Sequence, residues 1–204
     1  MMIMARYSAE HKAATRKKIL EAADRVMKAR GVEAASVEAV MREAGLTVGG
    51  FYAHFPSKDA LAHEALLAGL EASVDRLLAS LALVPHGAPW VRALIRRYLA
   101  QANESSLDRA CPLTLFLPDV ARGGREFQNA FAARTGALLD RIAAHFPPVS
   151  GMTRREAALA VYTGCVGAVV LARAVAAPEA RQRILATAEK TLLRALGIAG
   201  ADGA

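Results

Sequence analysis

The segment GLTVGGFYAHFPSKDAL, residues 45–61, contains the features that decide the fold of this chain. It starts at a glycine and passes through a short aromatic stretch, for which the sequence predicts a helix over residues 47–55. Pro56 ends that helix, because proline disfavours helical backbone in the residue before it. Ser57 is a favourable N-cap residue, so a long leucine-rich helix is predicted over residues 58–83.

The segment before residue 45 is typical of two further helices. Apolar residues at helical spacing predict a first helix from about Lys12, which Gly31 ends as a C-terminal glycine. Its apolar stripe comprises Ile19, Ala23, Val26 and Met27. Ser36 is the expected N-cap of a short second helix that stops at Gly45. Two short helices joined by a tight glycine turn form the helix-turn-helix pattern.

The segment 47–55 has the small residues and flanking donors that a helix needs to enter a DNA major groove. Thr47 offers a hydroxyl and free backbone amides to a phosphate, while Tyr52 and His54 offer polar tips. The two phenylalanines of the segment, four residues apart, are expected on its buried side. Taken singly, each polar residue is more typical of an ordinary helix surface, but the combination favours DNA binding. The predicted DNA-contacting residues are Arg16, Ser36, Thr47, Val48, Gly49, Gly50, Tyr52, His54 and Lys58.

The distribution of charge also points to the N-terminal part of the chain. Residues 1–30 contain eight cations and three carboxylates, so they supply +5 of the formal charge of +7. A basic segment beside a nearly neutral body favours a polyanionic partner at that end of the molecule. On its own, this pattern is equally typical of a solvated basic helix face.

Residues 16–61 resemble the DNA-binding domain of TetR-type (TetR/AcrR) transcriptional regulators. The resemblance implies a homodimeric, all-α repressor of about nine helices, whose third helix reads the major groove of a palindromic operator. It also implies that the C-terminal body binds a small molecule and forms the dimer. Many relatives carry a small hydroxyl residue or alanine at the position of Gly50, so base readout here would rest on Thr47, Val48 and Tyr52. The positions that carry the resemblance are Ile19, Ala23, Gly31, Ser36-Val37, Val40, Ala44-Gly45-Leu46-Thr47, Tyr52, His54-Phe55, Lys58 and Leu61.

The rest of the chain is also predicted to be helical. Its 46 alanines and 24 leucines make up over a third of the 204 residues and are the strongest helix formers. The sequence therefore predicts an all-α chain with a helix-turn-helix domain over residues 1–62 and a larger helical domain over residues 63–204. The resemblance assigns effector binding and dimerisation to that second domain. Its helices are predicted at about 89–106, 112–122, 124–146, 153–176 and 178–196.

A small-molecule pocket is expected among the middle helices of the second domain. Aromatic residues in such helices are more often plain core, so each candidate has that alternative. Cys111 has two interpretations, a reactive thiol sensor or an inert buried thiol, and the second is favoured. The candidate effector-binding residues are Trp90, Tyr98, Cys111, Phe116, Phe127 and Phe131.

A stripe of small residues at a spacing of four follows residues 157–172 and lets two helices approach closely. It is typical of an internal core helix or of a dimer interface, and the resemblance favours the interface. A helix over residues 178–196 would complete half of a four-helix bundle. The predicted interface residues are Ala160, Val161, Gly164, Ala168, Leu171, Ala172, Ile184 and Leu192.

Several other functions receive no support from the sequence. It contains no nucleophile elbow, P-loop, GxGxxG or HExxH motif, so no enzyme is expected. No cofactor, metal site or membrane segment is expected either, and the two widely separated cysteines favour a reducing, cytoplasmic location. A helical dimeric protein-interaction module without DNA binding remains the alternative to a DNA-binding regulator.

Overall fold

The computed structural model describes residues 2–103, 107 and 110–198, with side chains from residue 10 onward. Within that part of the chain the protein is helical, which confirms the predicted fold class. Two short 3₁₀ segments, η1 and η2, accompany the α-helices. The elements are α1 (Met2–Arg30), α2 (Val37–Glu43), η1 (Val48–Ala53), α3 (Lys58–Ser80), α4 (Ala88–Ala100), η2 (Gln101–Asn103), α5 (Leu113–Arg122), α6 (Arg125–Ala143), α7 (Arg154–Ala174) and α8 (Pro178–Ala195).

Most helix ends lie where the sequence predicts them, because local hydrogen bonds determine them. The Ser36 hydroxyl accepts a hydrogen bond from the backbone amide of Ala39, and Ser57 caps α3 in the same way. Thr153 forms a reciprocal capping box with Glu156 at the start of α7. The prediction for the first helix was wrong at its start, since α1 begins at Met2 instead of near residue 12.

The predicted third helix differs from the observed one in its geometry. Residues 48–53 form a 3₁₀ helix, not an α-helix, and α2 reaches it through Gly45 at φ 65°. That backbone conformation is the left-handed one that glycine adopts without a Cβ penalty. Gly49 and Gly50 explain the change, because each glycine disfavours an α-helix interior by about 1 kcal/mol relative to alanine.

The N-terminal helices enclose a core of their own. Ile19, Phe51 and Leu61 are almost completely buried, and they bring one residue each from α1, η1 and α3 into contact with a common cluster. Phe116 and Phe127 of the C-terminal helices join the same cluster. The N-terminal core is therefore continuous with α5 and α6, and α3 runs from this core to the core of the C-terminal helices.

The C-terminal helices pack around α7, which contacts α4, α5, α6 and α8. Val161 and Ala172 are buried inside the protomer, and Gly164 faces α8, where an added Cβ would lie 2.7 Å from a methyl carbon of Leu192. The small-residue stripe therefore serves the contact between α7 and α8 of one chain. Ala160 of the same stripe is exposed, so within the protomer the stripe is shared between the α7–α8 contact and the surface.

Helix α7 is also long and apolar enough, by length and composition, to cross a membrane. Its most apolar window of 18 residues has a mean hydropathy of 1.7, and 39% of that window is buried in the protein. A core helix meets the same test, and the buried side of α7 belongs to the main C-terminal core.

Candidate nucleic-acid interface

Segment η1 stands on two buried phenylalanines and presents its other side to solvent. Phe51 and Phe55 are 0% and 1% exposed, as the sequence predicts, and their rings stack with centroids 5.9 Å apart. Tyr52 lies between them in the chain and is 73% exposed, although its ring contacts Phe51 edge-on. Val48 is 41% exposed. The buried pair therefore orients an outward surface whose largest side chain is Tyr52.

The glycine pair leaves this outward surface without bulk. A Cβ added at Gly49 would meet no atom within 4 Å, and one added at Gly50 would touch only the end of Met41 at 4.0 Å. Thr47 precedes the pair, and its side chain makes no capping hydrogen bond to η1. The first residues of η1 therefore offer backbone and one hydroxyl at a surface that a duplex can approach closely.

His54 ends η1 beside the basic part of α1. Desolvation and the charges of Lys12, Arg16 and His11 lower the pKa of His54 below its ordinary value. Its Nδ1 atom is buried and has no hydrogen-bond partner among the described residues. The neutral ring is therefore favoured in the free protein, and an approaching phosphate would oppose that effect.

The guanidinium of Arg16 is paired with a carboxylate of its own chain, unlike an arginine whose guanidinium is free to contact a phosphate. The Arg16 guanidinium forms a paired ion bridge to Glu64 of α3, with the Nη2–Oε2 distance 2.6 Å, and lies 4.4 Å from the centroid of the Phe55 ring. The hydrogen bond to Glu64 also raises the pKa of Arg16. In this structure, therefore, Arg16 ties α1 to α3 and supports η1 from behind.

Ser36 and Lys58 also have structural partners. Ser36 is the N-cap of α2, with its hydroxyl 3.2 Å from the amide of Ala39. The Nζ atom of Lys58 donates to the carbonyl of Glu33 at 2.6 Å, which ties the loop between α1 and α2 to the start of α3. An ammonium has three donors, so this bond leaves Lys58 two for another acceptor.

The structure adds cations that the residue-by-residue prediction missed. Lys12, Lys17 and Lys18 are exposed on α1, and Lys12 acts electrostatically on His54 at the end of η1. The signal for them was the charge of residues 1–30, which identified the segment but not its orientation. The exposed surface of η1 together with Lys12 and Lys18, whose Nζ atom lies near Gly45 at the turn before η1, is called the basic face below.

The six candidate effector-binding residues do not line one pocket. Phe116 and Phe127 belong to the N-terminal cluster, where Phe127 stacks on His63 with centroids 3.7 Å apart. Trp90 stacks on His145, and Phe131 packs against both core clusters. Burial in two separate clusters therefore makes most of these residues core, which was the alternative considered for each.

Tyr98 lies at a small cavity between α3, α4, α6 and α7. The cavity has a volume of about 10 Å³, which is about the space that one water molecule needs. The hydroxyl of Tyr162 is buried and lacks a hydrogen-bond partner in the described part of the chain, whereas the Tyr98 hydroxyl has the thiol of Cys111 beside it. The residues that line the cavity are Leu77, Leu94, Tyr98, Ile142, Ala158, Val161, Tyr162 and Cys165.

The buried thiols near this cavity are not activated. Desolvation raises the pKa of Cys111, which acts electrostatically on Tyr98, and it raises the pKa of Cys165 to about 12. The thiolate is the reactive form of cysteine, and a raised pKa suppresses it. These values favour the inert interpretation of Cys111.

The predicted interface residues are divided between the inside and the outside of the protomer. Ala160 and Leu171 are exposed, whereas Val161, Ala168 and Ala172 are buried, and Ile184 and Leu192 are half-buried against the C-terminal core. A different set of α7 residues forms an exposed stripe at helical spacing. This stripe, called the outer face of α7 below, comprises Leu159, Thr163, Gly167, Val170 and Leu171.

Comparison with known proteins agrees with this geometry. Residues 19–65 match the family described as bacterial regulatory proteins, tetR family. An uncharacterised HTH-type transcriptional regulator, YfiR of Bacillus subtilis (strain 168), is 33% identical over 101 residues. That match covers 50% of this chain and 47% of the relative, so it spans about half of the relative's length.

Solved structures resemble the chain over nearly its whole length. A TetR transcriptional regulator from Chloroflexus aurantiacus J-10-fl has a TM-score of 0.69 at 20% identity, covering 91% of this chain and 96% of that one. A transcriptional regulator from Saccharomonospora viridis, solved in complex with choline, has a TM-score of 0.67 at 17% identity. It covers 89% of this chain and 96% of that one. Residues 19–65 therefore match the tetR family of bacterial regulatory proteins, and the overall fold resembles that of solved TetR regulators.

Proposed function

We propose that this chain is a ligand-responsive, DNA-binding transcriptional regulator, and that it acts as a repressor which a small molecule releases from its operator. The observation that carries the proposal is the basic face, where η1 projects Tyr52 and an open glycine surface from a buried phenylalanine base. The groove-reading residues are Thr47, Val48 and Tyr52, with backbone approach at the glycines. The exposed lysines of α1 and Lys58 contact phosphates, which supply affinity without sequence preference.

Two copies of the chain act together in this proposal. The outer face of α7 includes Val170 and Leu171, which are 44% and 55% exposed, next to the small Gly167. An apolar stripe with a small residue at its centre suits close packing against the same stripe of a second copy. A two-fold dimer would place two basic faces in successive major grooves of a palindromic operator, about 34 Å apart.

The effector site of the proposal is the cavity beside Tyr98. A buried hydroxyl without a partner costs about 1–3 kcal/mol, so a ligand that hydrogen-bonds to Tyr162 would relieve that cost. The cavity is too small for a metabolite, so a ligand must displace the surrounding helices. One of them is α3, which starts directly after η1, and its displacement changes the separation of the two basic faces. A ligand that prefers the displaced arrangement releases DNA.

The proposal is tested with a duplex that the protein itself selects from a random double-stranded library. The dissociation constant measured by fluorescence anisotropy on that duplex should rise with salt concentration. The rise should be steeper than one or two phosphate contacts allow. Tyr52→Ala and Lys58→Ala should each weaken binding, while far-UV circular dichroism and sedimentation remain unchanged. Leu83→Ala is the matched control, since Leu83 is 99% exposed and lies beyond the end of α3.

The alternative, a helical interaction module without DNA binding, makes opposite predictions. It requires that no duplex is enriched in the selection and that anisotropy shows no salt-dependent binding. Either result would contradict the proposal that the chain is a DNA-binding regulator. Both proposals place the protein in the cytoplasm, and neither requires catalysis.

A further inference from the structure

Two histidine rings from separate elements meet at the surface of the C-terminal domain. His86 lies in the loop between α3 and α4, and His145 follows the end of α6. The Nδ1 atom of His145 is 3.0 Å from the Nε2 atom of His86, and the rings meet edge-to-face with centroids 4.4 Å apart. His86 is exposed and His145 is half-buried, so the gap between the two nitrogens is reachable from solvent.

Neighbouring groups hold both rings in place. The indole of Trp90 stacks on the His145 ring at 4.5 Å with an interplanar angle of 11°, and Trp90 itself is only 2% exposed. The backbone amide of Gly87 donates to the carbonyl of His145 at 3.0 Å, which ties the residue after His86 to the end of α6. The two nitrogens are therefore fixed near each other by the fold and not by their mutual contact alone.

We propose that His86 and His145 form a two-ligand site for a divalent transition-metal ion of the zinc and copper class, with water in the remaining positions. Imidazole nitrogens bind such ions at about 2.0–2.1 Å, so two of them on one tetrahedral ion lie about 3.3 Å apart. The observed nitrogens need to separate by only about 0.3 Å. Among the described residues no cluster of three or more histidine, cysteine or carboxylate side chains exists, so water supplies the other ligands.

Binding needs no net loss of protons at the site. In the present contact one ring donates its N–H to the other, so one nitrogen of the pair carries a hydrogen. When an ion enters, that hydrogen moves to the other nitrogen of the same ring by tautomerisation, and both facing lone pairs become free. The ion then links the α3–α4 loop to the end of α6. This inference does not depend on DNA binding.

The test uses the tag-free, full-length protein, because an affinity tag of histidines would itself bind the ion. Trp90 is the single tryptophan of the chain and contacts His145, so CuCl₂ should quench its fluorescence saturably at one ion per protomer. ZnCl₂ should compete with Cu²⁺ for the site and should give the same stoichiometry by calorimetry. His86→Ala should weaken both affinities by at least about tenfold. His11→Ala, which removes an exposed histidine of α1, should leave them unchanged.

Two substitutions separate metal binding from a simple hydrogen bond between the rings. His86→Cys retains a metal ligand and should keep most of the Zn²⁺ affinity, whereas His86→Asn retains a polar group and should lose it. Should the alanine variant fail to fold, the asparagine variant gives the same readout. The proposal is overturned by the absence of saturable binding to the wild-type protein. Equal affinities for wild-type and His86→Asn would overturn it as well.

Discussion

At the scale of single residues, Gly49 is a position where the stability of the protein and its proposed DNA binding favour different residues. Its φ is not positive, and a Cβ at this position meets no atom within 4 Å. Nothing inside the protomer therefore requires glycine there. The open surface is useful only if something outside the protein, such as a duplex, comes close to the backbone.

Gly49→Ala should consequently stabilise the free protein and weaken DNA binding. The expected gain is about 0.5–1 kcal/mol in the free energy of unfolding, because alanine loses less backbone entropy than glycine. Urea unfolding and anisotropy on the selected duplex measure the two effects. Gly124→Ala, which also adds a methyl group in open space, is the control and should leave DNA affinity unchanged. Unchanged DNA affinity of the Gly49→Ala protein would contradict the close approach.

His54 should make the stability of the free protein depend on pH. Its pKa is lowered in the folded protein, chiefly by desolvation and then by neighbouring cations, whereas the unfolded chain has the ordinary value near 6.5. Above pH 6.5 both states carry a neutral ring. As the pH falls below 6.5, the unfolded state takes up the proton first, and stability is lost. Urea titrations at pH 7.5 and 5.5 should show a smaller loss for His54→Gln than for the wild type. Equal losses would show that the His54 ring has no such effect.

The residues that sequence analysis placed correctly act through neighbours within four positions. Ser36, Ser57 and Thr153 each bond to an amide three residues onward, so the sequence contains the whole interaction. Arg16 is different, because its partner Glu64 is 48 residues away on another helix. The sequence could identify the cation but not its ion-pair partner, and the phosphate contact expected of Arg16 stays a prediction.

At the scale of elements, α7 has two glycines three residues apart with opposite surroundings. Gly164 faces Leu192 of α8 at a distance that leaves no space for a Cβ, whereas Gly167 has nothing within 4 Å. Periodicity places both in one helix, but it cannot tell which side meets a neighbour. The stripe chosen from spacing for the dimer was for this reason largely the α7–α8 contact.

Substitutions at these two positions should act in opposite directions. Gly164→Val should destabilise the protomer by about 1–3 kcal/mol through overpacking against Leu192. Gly167→Ala should not destabilise it and should add up to about 1 kcal/mol, since alanine is the better helix former. Thermal or urea unfolding of both variants at equal concentration makes the comparison. Because the proposed dimer packs at Gly167, the comparison is made at concentrations where sedimentation shows a monomer. A loss of stability of the Gly167 variant there would contradict the open surroundings of Gly167 within the protomer.

The 3₁₀ geometry of η1 is a second difference between prediction and structure at the scale of elements. Its limits agree with the sequence because Gly45 and Pro56 bracket it, but the glycine pair decides which helix forms between them. Propensity indicated the cost of those glycines without indicating the alternative conformation.

At the scale of the whole molecule, the account requires a dimer formed through the outer face of α7. Leu171→Glu should convert it to a monomer, because a charge at a buried apolar contact is unpaired and desolvated. Leu83→Glu, which puts the same charge on a residue that is 99% exposed, should leave the dimer intact. Sedimentation velocity over a range of concentrations checks both variants. A dimer that survives Leu171→Glu would move the interface to another surface.

The assembled molecule was only partly predictable from the sequence. Composition and caps indicated an all-α chain, and the segment 45–61 indicated the family that the N-terminal part matches. The pocket was not predictable, because aromatic residues in helices look alike whether they pack under the N-terminal domain, as Phe116 does, or line a cavity, as Tyr98 does. Only the packing of α3, α4, α6 and α7 distinguishes them.

The most direct measurement of the central claim is cleavage of the selected duplex by an iron chelate attached through Ala53→Cys, at the exposed end of η1. The native thiols are buried, so labelling is directed to the new residue. We predict two symmetric groups of cuts about one helical turn apart, which are absent when the chelate is attached through Leu83→Cys. Cleavage no stronger than that of the Leu83→Cys control, on a duplex that remains bound, would contradict the placement of η1 in the groove.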